Sequence, residues 1–147
     1  MRKIPTLFKR EFRDHKVVLI KNDVTPGLEW VLRGEGEATL KIDGSCCAVI
    51  NGEYYKRYDA KAGKTPPAGA IPCQDAPDPV TGHWPHWVKL SRDNPADKWF
   101  YAAMGEEHLP DGTYEAVGPH FNGNPYHFIV DSIYRHGSVK MPPNFPR

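Results

Sequence analysis

The stretch Cys46-Cys47-Ala48-Val49-Ile50-Asn51-Gly52-Glu53-Tyr54-Tyr55-Lys56-Arg57 decides the fold class. Two runs of β-forming residues flank Asn51-Gly52, and Asn-Gly is a favoured two-residue hairpin turn because both central residues need a positive φ. A second turn signal, Asp43-Gly44, separates the earlier run Ala38–Ile42 from the first of these strands. Together the two turns predict an antiparallel meander, with Lys41 near a strand end.

The rest of the chain alternates short β-type runs with loops. Six prolines between Pro66 and Pro85 predict an extended loop and not a central strand, since proline lacks the amide donor. Asn94-Pro95 predicts a helix start with Asn94 as its cap. Further strands are predicted at Val17–Ile20, Trp30–Arg33, Trp87–Leu90, Thr113–Val117 and Tyr126–Ile133.

Length and composition indicate one folded domain, residues 1–147, large enough to bury a core. Nineteen basic and eighteen acidic residues give a net charge of +1, so any nucleic-acid surface has to be local. The three cysteines form neither a disulfide framework nor a CxxC zinc pattern, and reduced thiols fit the cytoplasm. No apolar run is long enough to span a bilayer, so we expect a cytoplasmic protein without a membrane partner.

Several motifs follow Lys41-Ile42-Asp43-Gly44 in a fixed order. They are Arg57-Tyr58-Asp59-Ala60-Lys61-Ala62-Gly63-Lys64, Gly82-His83-Trp84-Pro85-His86-Trp87-Val88, Glu115-Ala116-Val117-Gly118, Gly123-Asn124-Pro125-Tyr126 and His136-Gly137. This set resembles the 5′-to-3′ RNA ligase 1 family of the covalent nucleotidyltransferase superfamily, which also contains DNA ligases and mRNA capping enzymes. The similarity covers about residues 37 to 140, and the ordered set is much more specific than Lys-x-Asp-Gly alone.

The resemblance implies an α+β fold, namely an antiparallel-sheet nucleotidyltransferase (adenylation) domain, and an ATP-dependent RNA ligase that uses Mg²⁺. In this chemistry a lysine amine attacks the α-phosphate of ATP, releases pyrophosphate and carries AMP. A 5′-phosphate RNA end is then adenylated and sealed to a 3′-hydroxyl. The attacking amine must be neutral, so its pKa has to be lowered by nearby cations or by desolvation.

Four residues receive roles around the ATP sugar and α-phosphate. By resemblance, Lys41 is the AMP acceptor and Asp43 orients the site. Gly44 holds the turn and allows the backbone to approach the ligand closely. Glu115, in the Glu-x-x-Gly element, accepts hydrogen bonds from the ribose hydroxyls. We expect Glu115 to lie in the same pocket as Lys41.

A second group would bind the phosphates and the base. Three cations in the strand and loop after the Asp43-Gly44 turn would neutralise the triphosphate: Arg57, Lys61 and Lys64. The alternative is that these three side chains are solvated charges on the surface. We expect Arg57 to share the Lys41 pocket. Phe128 is our choice for the aromatic side chain that stacks on adenine, ahead of Phe121 and Tyr134, any of which could instead belong to the core.

The cysteines and histidines give no strong signal for a metal site. Cys73, His83 and His86 fit no known zinc spacing, so no protein metal site is predicted. Cys46-Cys47 alternate sides of a strand, and we interpret both as core residues.

The sequence also departs from the superfamily pattern. The Glu-Gly-hydrophobic strand that helps bind the metal and the Lys-x-Lys strand that holds the α-phosphate are not found after Gly118. We therefore expect a truncated or short relative that seals RNA weakly, with a sheet edge that could pair with a second copy. The rival hypothesis is a non-catalytic nucleotide- or RNA-binding module. A DNA ligase or capping guanylyltransferase fits less well because of the motif order around Glu115.

Overall fold

The computed structural model describes residues 1–105 and 107–143. The fold is α+β, with two antiparallel sheets and few helices. The chain forms two compact units, one made of Met1 and Lys41–Val139, and the other of Arg2–Leu40 with the described residues from Lys140 onward. Within the described ranges, no helix is both long and apolar enough to cross a bilayer.

The smaller unit contains a two-stranded hairpin of β1 (Phe8–Arg13) and β2 (Lys16–Val24). The strand predicted at Val17–Ile20 is confirmed within β2, and its four apolar side chains are exposed. The strand predicted at Trp30–Arg33 is wrong, because these residues belong to a short helix, α1 (Glu29–Leu32), and the residue that follows it. Local backbone hydrogen bonds close this helical turn, with the amide of Val31 donating to Leu28 and the amide of Arg33 donating to Glu29.

The larger unit contains a six-stranded antiparallel sheet in the order β5-β6-β4-β3-β7-β8. Its strands are β3 (Ser45–Ile50), β4 (Glu53–Ala60), β5 (Ile71–Pro72), β6 (Trp84–Lys89), β7 (Gly112–Val117) and β8 (Ser132–Arg135). The hairpin at Asn51-Gly52 is confirmed, with φ values of 50° and 76°. The amides of Asn51 and Gly52 donate to the Asp111 carboxylate at 2.7 and 3.0 Å. These bonds connect the turn to the residue that directly precedes β7.

The helix predicted after Asn94 is confirmed. A 3-10 turn (Pro95–Asp97) leads into α2 (Lys98–Met104), and the Asn94 side chain accepts the amide of Ala96 at 3.0 Å. The hydrophobic core joins residues of the sheet, of α2 and of neighbouring loops: Cys47, Val49, Leu90, Met104, Tyr114, Ala116 and Phe121. Because side chains alternate along a strand, Cys46 and Glu115 lie on the opposite face.

The strand predicted at Ala38–Ile42 and the Asp43-Gly44 hairpin are wrong. β3 begins at Ser45 and pairs with β4 on one edge and with β7 on the other, so no edge is left for the preceding residues. Of that stretch only Thr39 forms a bridge, with Lys140. Lys41 therefore lies in an extended segment at the start of β3 and not in a meander.

Two further predictions are corrected. Only Ser132 onward forms the strand predicted at Tyr126–Ile133, because the preceding loop turns repeatedly, with positive φ at Asn122, Asn124 and His127. The proline-rich loop is not free of strands, since Pro72 ends β5 and Pro85 lies in β6. β5 is only two residues long, so it forms few hydrogen bonds with β6 beside it.

Candidate active site

The segment Lys41–Gly44, called the lysine segment below, lies directly against β7. The amide of Gly44 donates to Oε1 of Glu115 at 3.0 Å. A Cβ on Gly44 would lie 2.1 Å from the carbonyl oxygen of Ala116, so the backbone approaches β7 more closely than a side chain permits. This close approach replaces the tight turn that the sequence predicted for Gly44.

The loop that contains Gly-Asn-Pro-Tyr holds the other side of the lysine segment. The hydroxyl of Tyr126 accepts the amide of Asp43 at 2.8 Å, and the side-chain amide of Asn122 donates to the carbonyl of Gly44 at 3.1 Å. Together with the hydrogen bond to Glu115, these bonds pair the amides of Asp43 and Gly44 and the carbonyl of Gly44. Motifs separated by more than seventy residues in sequence thus meet at one place.

The side chain of Lys41 is exposed and paired. Its Nζ lies 2.6 Å from Oδ1 of Asp43, and 83% of the lysine side chain is accessible. The hydrogen bond to Asp43 is the main reason that the pKa of Lys41 is raised, with the charge of Glu115 contributing less. The lowered pKa that a nucleophilic amine needs is therefore absent from this arrangement, which holds Lys41 as an ammonium ion.

A row of side chains crosses the sheet on the face opposite α2. Cys46 pairs with Glu115 in the β3–β7 register, and Glu115 pairs with Tyr134 of β8. On the other side of Cys46, the Arg57 guanidinium lies against the thiol. Because directly opposed residues of an antiparallel sheet project to the same face, Arg57 and Glu115 lie on one face of the sheet.

Arg57 supplies a fixed positive charge on this face. Its Nε lies 2.9 Å from Oδ1 of Asp59, and only 20% of its side chain is exposed. Partial burial is the largest single effect and lowers the pKa of Arg57, but the hydrogen bond to Asp59, the charge of Asp59 and smaller effects of the nearby thiols together raise the pKa. The guanidinium therefore keeps its charge.

His136 is a site residue to which the sequence interpretation gave no role. Its Nε2 lies 2.7 Å from Oε2 of Glu115, and its Nδ1 lies 2.8 Å from Oγ1 of Thr113. Both oxygens of Glu115 are thus engaged, one by His136 and one by the lysine segment. The His136-Gly137 motif was the available signal, but its position beside β7 depends on the pairing of β8.

The two adjacent cysteines have different environments. Cys47 lies in the core, as predicted, and its thiol approaches the carbonyl of Tyr114 at 3.7 Å. The prediction is wrong for Cys46, which lies outside the core, partly buried beside Glu115. Burial is the main reason that the pKa of Cys46 is raised to about 11.

The aromatic residues considered for adenine stacking lie in different places in the structure. Phe128 lies between Tyr126 and Tyr134, with ring centroids 5.8 and 6.3 Å away. The side chain of Asn124 fixes the backbone of Phe128, accepting its amide at 3.0 Å and donating to its carbonyl at 2.9 Å. Phe121 is a core residue against Phe100, so it does not belong to this face.

Lys61 and Lys64 follow β4 in a turn closed by a hydrogen bond of 2.9 Å between the Lys64 amide and the Lys61 carbonyl. β4 runs antiparallel to β3, so this turn leaves the sheet at the end where β3 begins. Both lysines are exposed, and in the part of the chain that the structure describes neither side chain forms an ion pair. They are therefore at the same end of the sheet as the lysine segment.

A cavity of about 650 Å³ lies elsewhere in the larger unit. Gly52, Arg92 and Tyr101 are among its lining residues, and Gly52 belongs to the turn at the far end of β3. The lysine segment lies at the opposite end of the same strand. The candidate site is therefore separate from this cavity.

The residues near Lys41 do not form a resident magnesium site. Mg²⁺ prefers oxygen ligands in octahedral geometry. Asp43 is engaged by Lys41, and both oxygens of Glu115 are engaged by neighbours, one of them an imidazole. A cysteine and a histidine beside Glu115 suit softer metals. The expected Mg²⁺ thus has no dedicated protein cage among the described residues.

The sequence matches no described protein family and no curated protein. The chemistry of the site is therefore argued from its own residues.

Proposed function

We propose that this chain is an ATP-dependent RNA ligase that forms a lysyl-AMP intermediate at Lys41 and joins 5′-phosphate to 3′-hydroxyl RNA ends. The observation that carries the proposal is the position of the lysine segment, whose backbone is held by Glu115, Asn122 and Tyr126. A backbone held on both sides places its lysine next to a carboxylate and an aromatic cluster. In the proposed adenylation the amine would receive AMP, the carboxylate would hold the ribose and an aromatic ring would stack on the base.

In the proposed first step, the amine of Lys41 attacks the α-phosphorus of ATP. A nitrogen–phosphorus bond forms, the bond to the pyrophosphate oxygen breaks, and the amine loses its proton to solvent. Because the pKa of Lys41 is raised by Asp43, this ion pair has to open before the amine can attack. A triphosphate that repels Asp43 supplies one reason for it to open.

The other residues bind and orient the nucleotide. Arg57 is a permanent cation on the site face and is suited to the phosphates, with the exposed Lys61 and Lys64 at the same end of the sheet. Glu115 would accept the ribose hydroxyls by exchanging its contact with His136. Phe128, beside Tyr126 and Tyr134, offers a ring for the adenine base.

Magnesium is part of this proposal only as a companion of the triphosphate. The residues near Lys41 do not fit a resident Mg²⁺, so no step is assigned to it. The motif that supplies the metal carboxylate and the lysine pair for the α-phosphate are not found in the sequence. Loss of one such stabilising group costs about 10²–10³ in rate, so we expect sealing to be weak.

A second candidate function is non-covalent nucleotide or RNA binding. The ion pair between Lys41 and Asp43 favours it, because an ammonium ion binds phosphate but does not attack phosphorus. Both candidates predict ATP binding at the same face. They differ in whether a covalent adduct forms.

The test is incubation of the full chain with α-labelled ATP and Mg²⁺, followed by intact-mass analysis and peptide mapping. We expect one added adenylate on Lys41, loss of the adduct in Lys41→Ala, and its retention in the matched exposed-lysine control Lys140→Ala. GTP should give no adduct. ATP binding without an adduct would support the second candidate, and an adduct on Lys61 or Lys64 would refute the assignment of Lys41.

A further inference from the structure

On the same face of the sheet as Glu115 there is a group of three potential metal ligands, two in the neighbouring strands β3 and β7 and one directly after β8. Cys46 of β3 and Glu115 of β7 are directly paired, and His136 follows β8. One ligand atom from each residue lies within 4.8 Å of the other two. We propose that Cys46, Glu115 and His136 bind a zinc-like divalent cation with an open fourth position.

The types of donor atom select the class of metal. A thiolate sulfur and an imidazole nitrogen favour Zn²⁺ and similar ions over Mg²⁺ or Ca²⁺, which prefer oxygen ligands. Three protein ligands with one open position are the arrangement of reactive zinc sites, whereas structural sites use four. Metal–ligand bonds of about 2.0–2.3 Å place tetrahedral ligand atoms about 3.3–3.6 Å apart, so side-chain movements of about 1 Å complete the site.

Neighbouring groups already orient two of the three ligands. Thr113 Oγ1 lies 2.8 Å from Nδ1 of His136, which leaves Nε2 directed at Glu115 at 2.7 Å. The other oxygen of Glu115 accepts the amide of Gly44. Such partners fix the ring and carboxylate orientations that metal ligands require. A cation between Nε2 and Oε2 would take the place of the proton that they share.

Two cations oppose the metal. The Arg57 guanidinium lies against Cys46, and the amino group of Met1 also acts on this thiol. Arg57 is partly neutralised by Asp59 at 2.9 Å. We therefore expect weaker binding than at a four-ligand structural site, with both cations helping to stabilise the thiolate.

The metal site stands independently of the proposed ligase activity. If that activity is also correct, the metal and the nucleotide compete, because both need Glu115. Metal binding is measured without ATP, so failure of one proposal is distinguishable from failure of the other.

The test uses the full chain, stripped of metal by a chelator and titrated with Co²⁺ and then Zn²⁺. We expect a thiolate-to-cobalt charge-transfer band together with intense visible bands of four-coordinate cobalt, both lost when Zn²⁺ displaces Co²⁺. Cys46→Ser should abolish the charge-transfer band, and His136→Gln should weaken binding. Cys73→Ser and His83→Gln are the matched controls and should leave both unchanged.

The orienting role of Thr113 gives a separate readout. Thr113→Val keeps the shape of the side chain but removes the partner of Nδ1, and we expect about 10–100-fold weaker Zn²⁺ binding with the charge-transfer band retained. Zn²⁺ should also raise the melting temperature of the wild type and not that of Cys46→Ser. The proposal is overturned if excess Co²⁺ gives no charge-transfer band in the folded wild type, or if the band survives in Cys46→Ser.

Discussion

Replacing Gly44 by alanine tests whether the lysine segment is held against β7. The new Cβ would lie 2.1 Å from the carbonyl oxygen of Ala116 and 2.7 Å from Cγ1 of Val117, whereas real Cβ contacts essentially never fall below 3.0 Å. The backbone has to move by about 0.9 Å, the difference between that limit and the carbonyl distance. A shift of this size is enough to break the 3.0 Å hydrogen bond to Glu115.

The expected cost has two parts. Losing a hydrogen bond to a charged acceptor costs about 1.5–3 kcal/mol, and overpacking costs about 1–3 kcal/mol. Gly44→Ala should therefore lower the free energy of unfolding by about 2.5–6 kcal/mol if the segment stays in place. If the segment detaches, the stability loss is smaller, but labelling of Lys41 by ATP should disappear.

Urea denaturation of the purified chain measures the first quantity, and the ATP adduct measures the second. Gly63→Ala is the matched control, because Gly63 has a φ of +76° and no neighbouring atom within 4 Å of an added Cβ. It should cost only about 1–2 kcal/mol of backbone strain. A Gly44→Ala protein with wild-type stability and wild-type labelling would refute the described position of the segment.

Three further predictions concern single side chains. Asp43→Asn removes the negative charge beside Lys41 and leaves only a weaker hydrogen bond to a neutral amide oxygen, so the pKa of Lys41 falls and its amine is neutral more often at a given pH; competitive acylation with peptide mapping should show faster modification of Lys41, and slower modification would contradict the ion pair. Asp97→Ala leaves the partly buried ammonium of Lys56 without the carboxylate that lies 2.5 Å from it. Urea denaturation should show a loss of about 3–5 kcal/mol in the free energy of unfolding, and the double variant that also carries Lys56→Met should recover part of this loss. Asn94→Ala removes the cap of the turn before α2 and should cost about 1 kcal/mol in the same measurement; no change would mean that the cap does not stabilise this helix start.

The sequence was most informative where a structural signal is local. The Asn51-Gly52 hairpin and the Asn94 cap depend on residues within one turn, and both were predicted correctly. The Asp43-Gly44 turn looked equally strong, but tertiary pairing overrode it, because β7 takes the edge of β3 that the hairpin would have used. A turn signal does not report that a distant strand competes for the same edge.

In the candidate site, too, the local motifs were informative and the long-range strand pairing could not be predicted. The motifs marked Lys41 and Glu115, and the structure brings their elements together. The positions of Cys46 and His136 beside Glu115 could not be predicted, because they depend on the β3–β7 and β7–β8 registers. A register shift of one residue would turn Cys46 toward the core and Cys47 toward the site.

The position of β3 between β4 and β7 has a consequence for the order of folding. β3 and β4 are joined by a two-residue turn and can pair as soon as both are synthesised. The bonds that hold the lysine segment span 71 residues to Glu115 and 83 to Tyr126. Closing such long loops is slow, so the hairpin can form early while the site is assembled only after β7 and the following loop have docked. A nascent chain that ends before Glu115 therefore carries Lys41 without any of the side chains that hold the lysine segment.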